Sequence, residues 1–440
     1  MTALTSGPQE LVGHSAKLLA EGMVDRRIYS DPDVYRMEQE LIFARSWLVV
    51  GHDTQIPRPG DFVESYMGEE SVIVTRNREG EIRVMLNTCR HRGNKVCRAE
   101  LGTTRAFMCQ YHGWTYDIDG NFVGAPQFEK VYGDDLDKSK WGLHRARVAL
   151  YKGLIFATFD TSLPPLEEYL GDFTWLLDVS LDPRPGGVEV AGGFLRWNIK
   201  TNWKFGAENS AGDLYHGGTT HRSAVDIGHR AIATGKNDPK HTTDEELDPG
   251  GTMISSFGHG VNWSDRRPEP EGGAPVPPDE TPLARYLREN RELTRQHLGD
   301  FRSRTIRRYN ANIFPNASFH SSAQTIHIFH PRGPGRTEVW LLPLVDKAAP
   351  QDVKDWVRRH TDSHFGPGGF FEEDDGENWE QATAATRGVV ASRLPFNYQM
   401  GFGREKVISE PGVPDRIDGG FNDYGQRALL ERWHDMMRTP

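Results

Sequence analysis

Two cysteines and two histidines, arranged Cys89-x-His91, then 17 residues, then Cys109-x-x-His112, constrain this 440-residue chain more than any other feature. Three cysteines cannot build a disulfide framework, and an odd count leaves one unpaired. A Cys-x-x-His pair needs two further ligands to hold a metal, and the two halves of the pattern supply them to each other. Zinc sites usually space their ligands Cys-x-x-Cys and His-x3-His. One Cys and one His in each half suit a two-iron, two-sulfide cluster better, with one iron on both thiolates and the other on both imidazoles. Cys97 is left over and reads as a small buried residue. A structural zinc site remains the alternative at this point.

The surroundings of the pattern are rich in strands. "SVIVTRNREGEIRVMLNTC" reads as a hairpin, and "RAFMCQYHGWTYDIDGNFVG" as a second with Asp119-Gly120 in its turn. Each half of the metal pattern is expected to close one of these pairs, so that two hairpin tips converge. "GLIFATFD" (153–160) reads as a buried strand, and residues 40–165 as a small all-β domain. Residues 1–39 are expected to be helical, with Asp31 or Asp33 capping, and to pack with a second domain over 166–440. There "FLRWNIKTNWKF" looks strand-like and 207–221 helical. Residues 264–282 are too rich in Pro and Gly for regular structure. Thr281-Pro282 starts a helix reaching Gly299, and "AQTIHIFHPRGPGRTEVWLLPLVDK" is another hairpin.

Net charge is 52 − 62 = −10, without a basic block, which argues against nucleic-acid binding. No apolar run approaches the roughly 20 residues of a membrane span, and the N-terminus lacks the pattern of a signal peptide. The expected location is the cytoplasm.

A second metal set lies in "NWKFGAENSAGDLYHGGTTHRS" (202–223). Asp213 and His216 share a helix face at i, i+3. His221 lies five residues on, so the two histidines meet one metal only if the helix loosens, and Gly217-Gly218 is the expected place. Two imidazoles and a carboxylate form the triad that leaves positions open on Fe(II) for O2. The carboxylate could be Asp213 or one of Glu372, Glu373, Asp374, Asp375 and Glu377 in "GFFEEDDGENW"; spacing does not choose among them.

Taken together, "CRHRG…CQYHGW", Asp-x-x-His-x4-His about a hundred residues later and the Asp-Asp segment resemble the α subunit of Rieske non-haem iron aromatic-ring-hydroxylating dioxygenases. The resemblance covers nearly the whole chain and is closest to the biphenyl/toluene and naphthalene group. It implies an α+β architecture, with an all-β Rieske domain beside a catalytic domain built on a large antiparallel sheet flanked by helices. It implies one [2Fe–2S] cluster on Cys89, His91, Cys109 and His112, and one mononuclear Fe(II) on His216, His221 and Asp375. Asp213 becomes the bridge from cluster to iron, and Asn209 a neighbour of the iron. The implied reaction is cis-dihydroxylation by O2, with electrons from a ferredoxin and an NAD(P)H reductase and with three α subunits assembled with three small β subunits. A non-catalytic electron carrier and a Rieske monooxygenase or demethylase are the rivals.

The pocket positions the resemblance implies are Asn209, Leu214, Ser322, Ala323, Ile328, Phe365 and Phe371. Leu, Ile and Phe suit a flat apolar ring. Small Ser322 and Ala323 make room for a polycyclic hydrocarbon. An aromatic carboxylate such as phthalate would want an arginine fork. Arg302, Arg304, Arg307 and Arg308 are expected on a strand facing solvent, with His320 and His327 nearby, so a neutral arene is favoured.

Overall fold

The computed structural model describes residues 7–438 apart from 134, 224–250, 255, 264–279, 306–308 and 322–323. The chain divides into two units, Phe43–Tyr169 and a discontinuous one of Met1–Ile42 with Leu170–Pro440. The Pro- and Gly-rich stretch 264–279, and with it Ser322, Ala323, Arg307 and Arg308, lies outside the described residues. No described helix is long and apolar enough to cross a membrane.

Phe43–Tyr169 is built from small antiparallel sheets. One runs in the order Ile82–Leu86, Glu70–Arg76, Asp61–Met67, Leu101–Thr103, another is the meander Ala106–Met108, Thr115–Asp117, Phe122–Gly124, and a third sets Leu154–Thr158 between Arg147–Tyr151 and Leu48–His52. Every residue of Leu154–Thr158 is buried, as its unbroken apolar run requires. The loop 109–114 joins two strands of the meander, as expected. Cys89 and His91 correct the expectation for the first half. The tip of their hairpin is at 77–81, where Gly80 takes φ +85, and the two ligands follow the second strand in a loop closed by a Thr88–Lys95 bridge. An Arg-Glu-Gly sequence makes the tighter turn, so the metal pattern is left beyond it.

The other unit centres on a ten-stranded sheet. Its middle strands run Thr337–Asp346, Thr325–Pro331, Ala317–His320, Tyr309–Ile313, Gly260–Trp263, Gly251–Ile254, each antiparallel to the next. Helices flank it, as expected of an α+β fold. The stretch 194–205 is a strand only over Leu195–Ile199; Asn202 then accepts from the Lys204 N–H and caps a helix, Trp203–Gly212. Likewise 281–299 is two helices, Pro282–Glu289 and Arg291–Leu298, parted at Asn290. Residues 300–305 are helical rather than a strand of alternating arginines. Arg302 there is occupied by Asp178 at 3.3 Å.

One buried knot fixes the helix Trp203–Gly212 in place. Asp31 caps the helix Pro32–Leu41, and that helix carries Glu38 into the core. The Glu38 carboxylate accepts from Lys204 Nζ, Trp203 Nε1 and Trp433 Nε1. All four side chains are buried, and removing one partner of such an ion pair costs about 3–5 kcal/mol because the other charge is stranded.

Candidate metal centres

In the Phe43–Tyr169 unit the two ligand loops are built alike. Cys89 and Cys109 each donate their N–H to the carbonyl five residues on (Asn94 at 2.9 Å, Trp114 at 2.8 Å) and accept from the glycine four residues on, Gly93 and Gly113, at 2.9 Å. Both glycines sit at φ +72, a left-handed conformation that a side chain would strain. The loops face each other: the His91 and His112 rings lie 4.4 Å apart, and His91 stacks on Trp114 at 5.1 Å. Both cysteines are buried, and Asn94 Nδ2 lies 3.6 Å from Cys109 Sγ. Burial opposes ionisation of Cys109, but the Tyr111 N–H, the Asn94 amide, Cys89 and the His112 N–H outweigh it and hold this thiol below its ordinary value. Cys89, near the Tyr116 hydroxyl at 3.4 Å, is raised by burial. His91 is lowered by burial, His112 and Arg92, and its Nδ1 is buried with no partner. Two imidazoles facing each other beside thiols aimed at by N–H donors fit a mixed Cys/His iron–sulfur cluster.

In the other unit the helix Trp203–Gly212 stops at Asp213, whose φ −82 and ψ 83 leave the helical region. Gly217-Gly218, the expected loosening point, instead starts a short helix, Gly217–Thr220, with His216 and His221 at its two ends. The break therefore precedes both histidines, and a single turn presents both rings to the same side. Asp375 comes from the helix Phe370–Thr386. Nε2 of His216 and Nε2 of His221 are 3.2 Å apart, and each lies 3.4 Å from Asp375 Oδ1. Atoms at the corners of such a triangle lie about 1.9 Å from its centre, close to the ~2.0–2.2 Å at which imidazole and carboxylate bind a divalent metal. The other imidazole nitrogens face carboxylates: His216 Nδ1 lies 3.3 Å from Asp213 and His221 Nδ1 3.4 Å from Asp374. That is the outer arrangement by which carboxylates orient metal-binding imidazoles. Burial pushes Asp375 up to about 7, with Glu372, Asp213 and Asp374 adding repulsion. His216 is pulled down by burial, yet Asp213 and Asp375 leave it raised, whereas burial and His216 lower His221. The donor set thus lacks the positive charge that a cation at the centre of the triangle would supply.

The sequence matches the Rieske [2Fe-2S] domain family over residues 46–140 and the ring hydroxylating alpha subunit (catalytic domain) family over residues 168–438. The chain belongs to the ring-hydroxylating alpha-subunit family. This alpha subunit is 39% identical over 434 residues to the biphenyl dioxygenase subunit alpha of Paraburkholderia xenovorans, covering 96% of this chain and 92% of that one. It is 40% identical over 428 residues to the benzene 1,2-dioxygenase subunit alpha of Pseudomonas putida, covering 95% and 92%. The structure of naphthalene 1,2-dioxygenase from Rhodococcus sp. bound to indole superposes with a TM-score of 0.85 at 36% identity, over 99% of both chains. An alpha subunit of this kind is an oxidoreductase with a Rieske [2Fe–2S] cluster and a mononuclear iron, and both donor sets described above fit those groups.

The remaining site residues of the alpha subunit fall into three groups. Phe371 sets its ring edge against His221 at 5.0 Å, and Phe365 stacks on Phe371 at 5.5 Å. Asn209 accepts the Asp213 N–H at 3.1 Å through its carbonyl, with Leu214 next to Asp213 in the half-buried turn before His216. Ile328 departs from its expected place. Residues directly opposed in an antiparallel pair share a face, so the register puts Asn262, Asn310, Ser318, His320, Thr325 and His327 on one face of the sheet and Ile328, with Ala317 and Trp340, on the other. Asn262 Nδ2 donates to the Gly212 carbonyl at 3.1 Å, so the polar face is the one against the helix leading to the iron ligands. His320 and His327, considered earlier only as companions of the arginines, therefore take the iron side. Their alternation with Ser318 and Thr325 was the available signal.

Proposed function

We propose that this alpha subunit is the terminal oxygenase that cis-dihydroxylates a neutral aromatic ring, with room for a polycyclic one, in the cytoplasm. The carrying observation is the triangle of His216, His221 and Asp375, with the Phe371 ring edge-on to His221 and Phe365 stacked on Phe371. Bound there, iron supplies the activation of O2, which side chains cannot perform. Overall, one arene, O2, two electrons and two protons give one cis-dihydrodiol, with both oxygen atoms on one face of the ring. The electrons come from NAD(P)H through a reductase and a ferredoxin. Phe365 and Phe371 hold the ring flat against the metal side and exclude water. Asp213 and Asp374 hold the imidazoles in the tautomer that turns Nε2 toward the metal. Described arginine side chains do not enter this arrangement, which favours a neutral arene over phthalate.

The reading is tested by supplying ferredoxin, reductase, NADH and 18O2 with naphthalene, phenanthrene, biphenyl and phthalate in turn. The expected products are diols carrying two labelled atoms from the hydrocarbons. Turnover of phthalate alone would overturn the substrate class, and a single labelled atom would make the enzyme a monooxygenase.

Three alpha subunits, together with three small beta subunits, are proposed to form a ring in which His112 of one chain serves the iron site of the next through Asp213. Asp213 reaches His216 from the Nδ1 side, which suits a bridging carboxylate, and a head-to-tail interface that closes at three copies permits this arrangement. Co-expressing a His112→Ala chain with a His216→Ala chain distinguishes transfer between chains from transfer within one. On random mixing about one interface in four joins an intact cluster to an intact iron site, so activity near a quarter of wild type is expected. Mixed oligomers that form and stay inactive would defeat the proposal.

A further inference from the structure

The iron side of the sheet carries hydrogen-bonding groups that a pocket for bare hydrocarbon does not need. His320, at the end of the strand Ala317–His320, is partly exposed and sets its ring 5.7 Å from Phe365 and 4.8 Å from His327. Phe365 stacks on Phe371, and Phe371 meets His221, so His320 joins an unbroken path of rings ending at a metal ligand. Ser318 Oγ lies 3.4 Å from His320 Nε2, while no hydrogen bond to Nδ1 is present among the described residues. Behind it, His327 is 1% exposed and its Nε2 lies 3.3 Å from Glu372 Oε2, without hydrogen-bond alignment. Both ring nitrogens of His327 and Glu372 Oε1 are buried without an aligned hydrogen bond among the described residues, although the Phe365 backbone lies close to His327. Burying polar groups without well-aligned partners is costly, so a purely structural origin for all of them is unfavourable.

Resting on the function proposed above, we propose that His320, backed by His327 and Glu372, is a specificity-determining residue that binds a hydroxyl on the aromatic substrate. The preferred class is then a hydroxylated arene rather than the unsubstituted hydrocarbon. A neutral imidazole offers one donor and one acceptor, and which nitrogen is which depends on the direction of the Ser318 contact. A hydroxyl satisfies Nδ1 in either tautomer, because it both donates and accepts. Electrostatics agree with a neutral guest. Burial, with the charges of His327, His216 and His221, holds His320 well below the ordinary imidazole range, burial brings His327 to about 3, and burial raises Glu372 to about 8. All three are uncharged near neutral pH, so the wall offers hydrogen bonds without a charge to pair with a carboxylate. Phe365 and Phe371 supply the flat apolar surface for the rest of the ring system.

The test uses the holoenzyme without O2, so that binding is read apart from turnover. Calorimetric affinities are measured for 1-naphthol and for 1-methylnaphthalene, which has the same shape and no hydroxyl. The intact protein is expected to prefer 1-naphthol, and His320→Leu to cut that preference by about five- to tenfold, the worth of one neutral hydrogen bond. His320→Gln, which keeps a donor and an acceptor, is expected to retain most of it. Melting temperature and iron content identify a leucine variant that has not folded, and the intact protein's own preference then decides. An intact protein that binds 1-methylnaphthalene more tightly than 1-naphthol, or a folded leucine variant whose preference moves less than twofold, would overturn the assignment. Failure to oxidise any hydrocarbon in the 18O2 experiment would instead count against the parent function, whatever His320 binds.

Discussion

Replacing Asp375 with alanine is expected to strip the mononuclear iron and abolish ring oxidation while leaving the iron–sulfur spectrum intact. Iron content should fall from three atoms per chain, two in the cluster plus one, to two. The reason is geometric: Asp375 Oδ1 is one of three corners, 3.4 Å from each Nε2, and two imidazoles on one short helix cannot close the site without it. Asp374→Ala should be milder. Its carboxylate faces Nδ1 of His221, away from the triangle, so its loss removes an orienting contact and weakens iron binding by about 10–100-fold. Iron analysis and activity of the two purified variants check both statements. An Asp374→Ala protein without mononuclear iron beside an Asp375→Ala protein that keeps it would reverse the roles assigned to the pair.

Cys109→Ser should erase the visible absorption of the cluster, whereas Cys97→Ser should leave it unchanged. Cys109 sits where backbone N–H groups and the Asn94 amide converge on its sulfur, and those donors favour the thiolate that iron requires. Cys97 is also buried, but its thiol is raised by burial and donates to the Ala99 carbonyl at 3.5 Å. A serine hydroxyl can make that same contact. Absorption spectra and acid-labile sulfide of both variants provide the measurement. Bleaching of the Cys97 variant would mean that the wrong thiols had been assigned to iron.

The two candidate donor sets were legible from the sequence because few residue types bind iron and their spacing is short. Asp375 was singled out only through resemblance, since five acidic residues crowd positions 372–377 of that helix and charge alone does not separate them. Other features were hidden by physics that sequence spacing does not carry. Two consecutive glycines look like a hinge, yet Gly217 and Gly218 adopt helical geometry, and the chain bends at Asp213 instead. Ile328 is apolar and was expected at the substrate, but strand alternation sends it to the far face while neighbouring His327 takes the near one. The arginine-rich run 302–308 was taken for a strand, yet its start, 300–305, is helical and Arg302 is spent on Asp178. Register and pairing decide these matters, and both are set by partners far away in sequence.

The carboxylate of Glu38, gripped by Trp203, Lys204 and Trp433, implies an order of events at the ribosome. Domains tend to fold as they are completed, N-terminal first, at about 5–20 residues per second. Phe43–Tyr169 is continuous and contains its own aromatic core, so that core can form once residue 169 has emerged. The unit around Glu38 has to wait for the helix Tyr424–Arg438, which supplies Trp433. During that interval the apolar face of Pro32–Leu41 has no core to pack against, and Glu38 stays in water. The core that carries the cluster loops can therefore form before the unit that carries the iron site is complete.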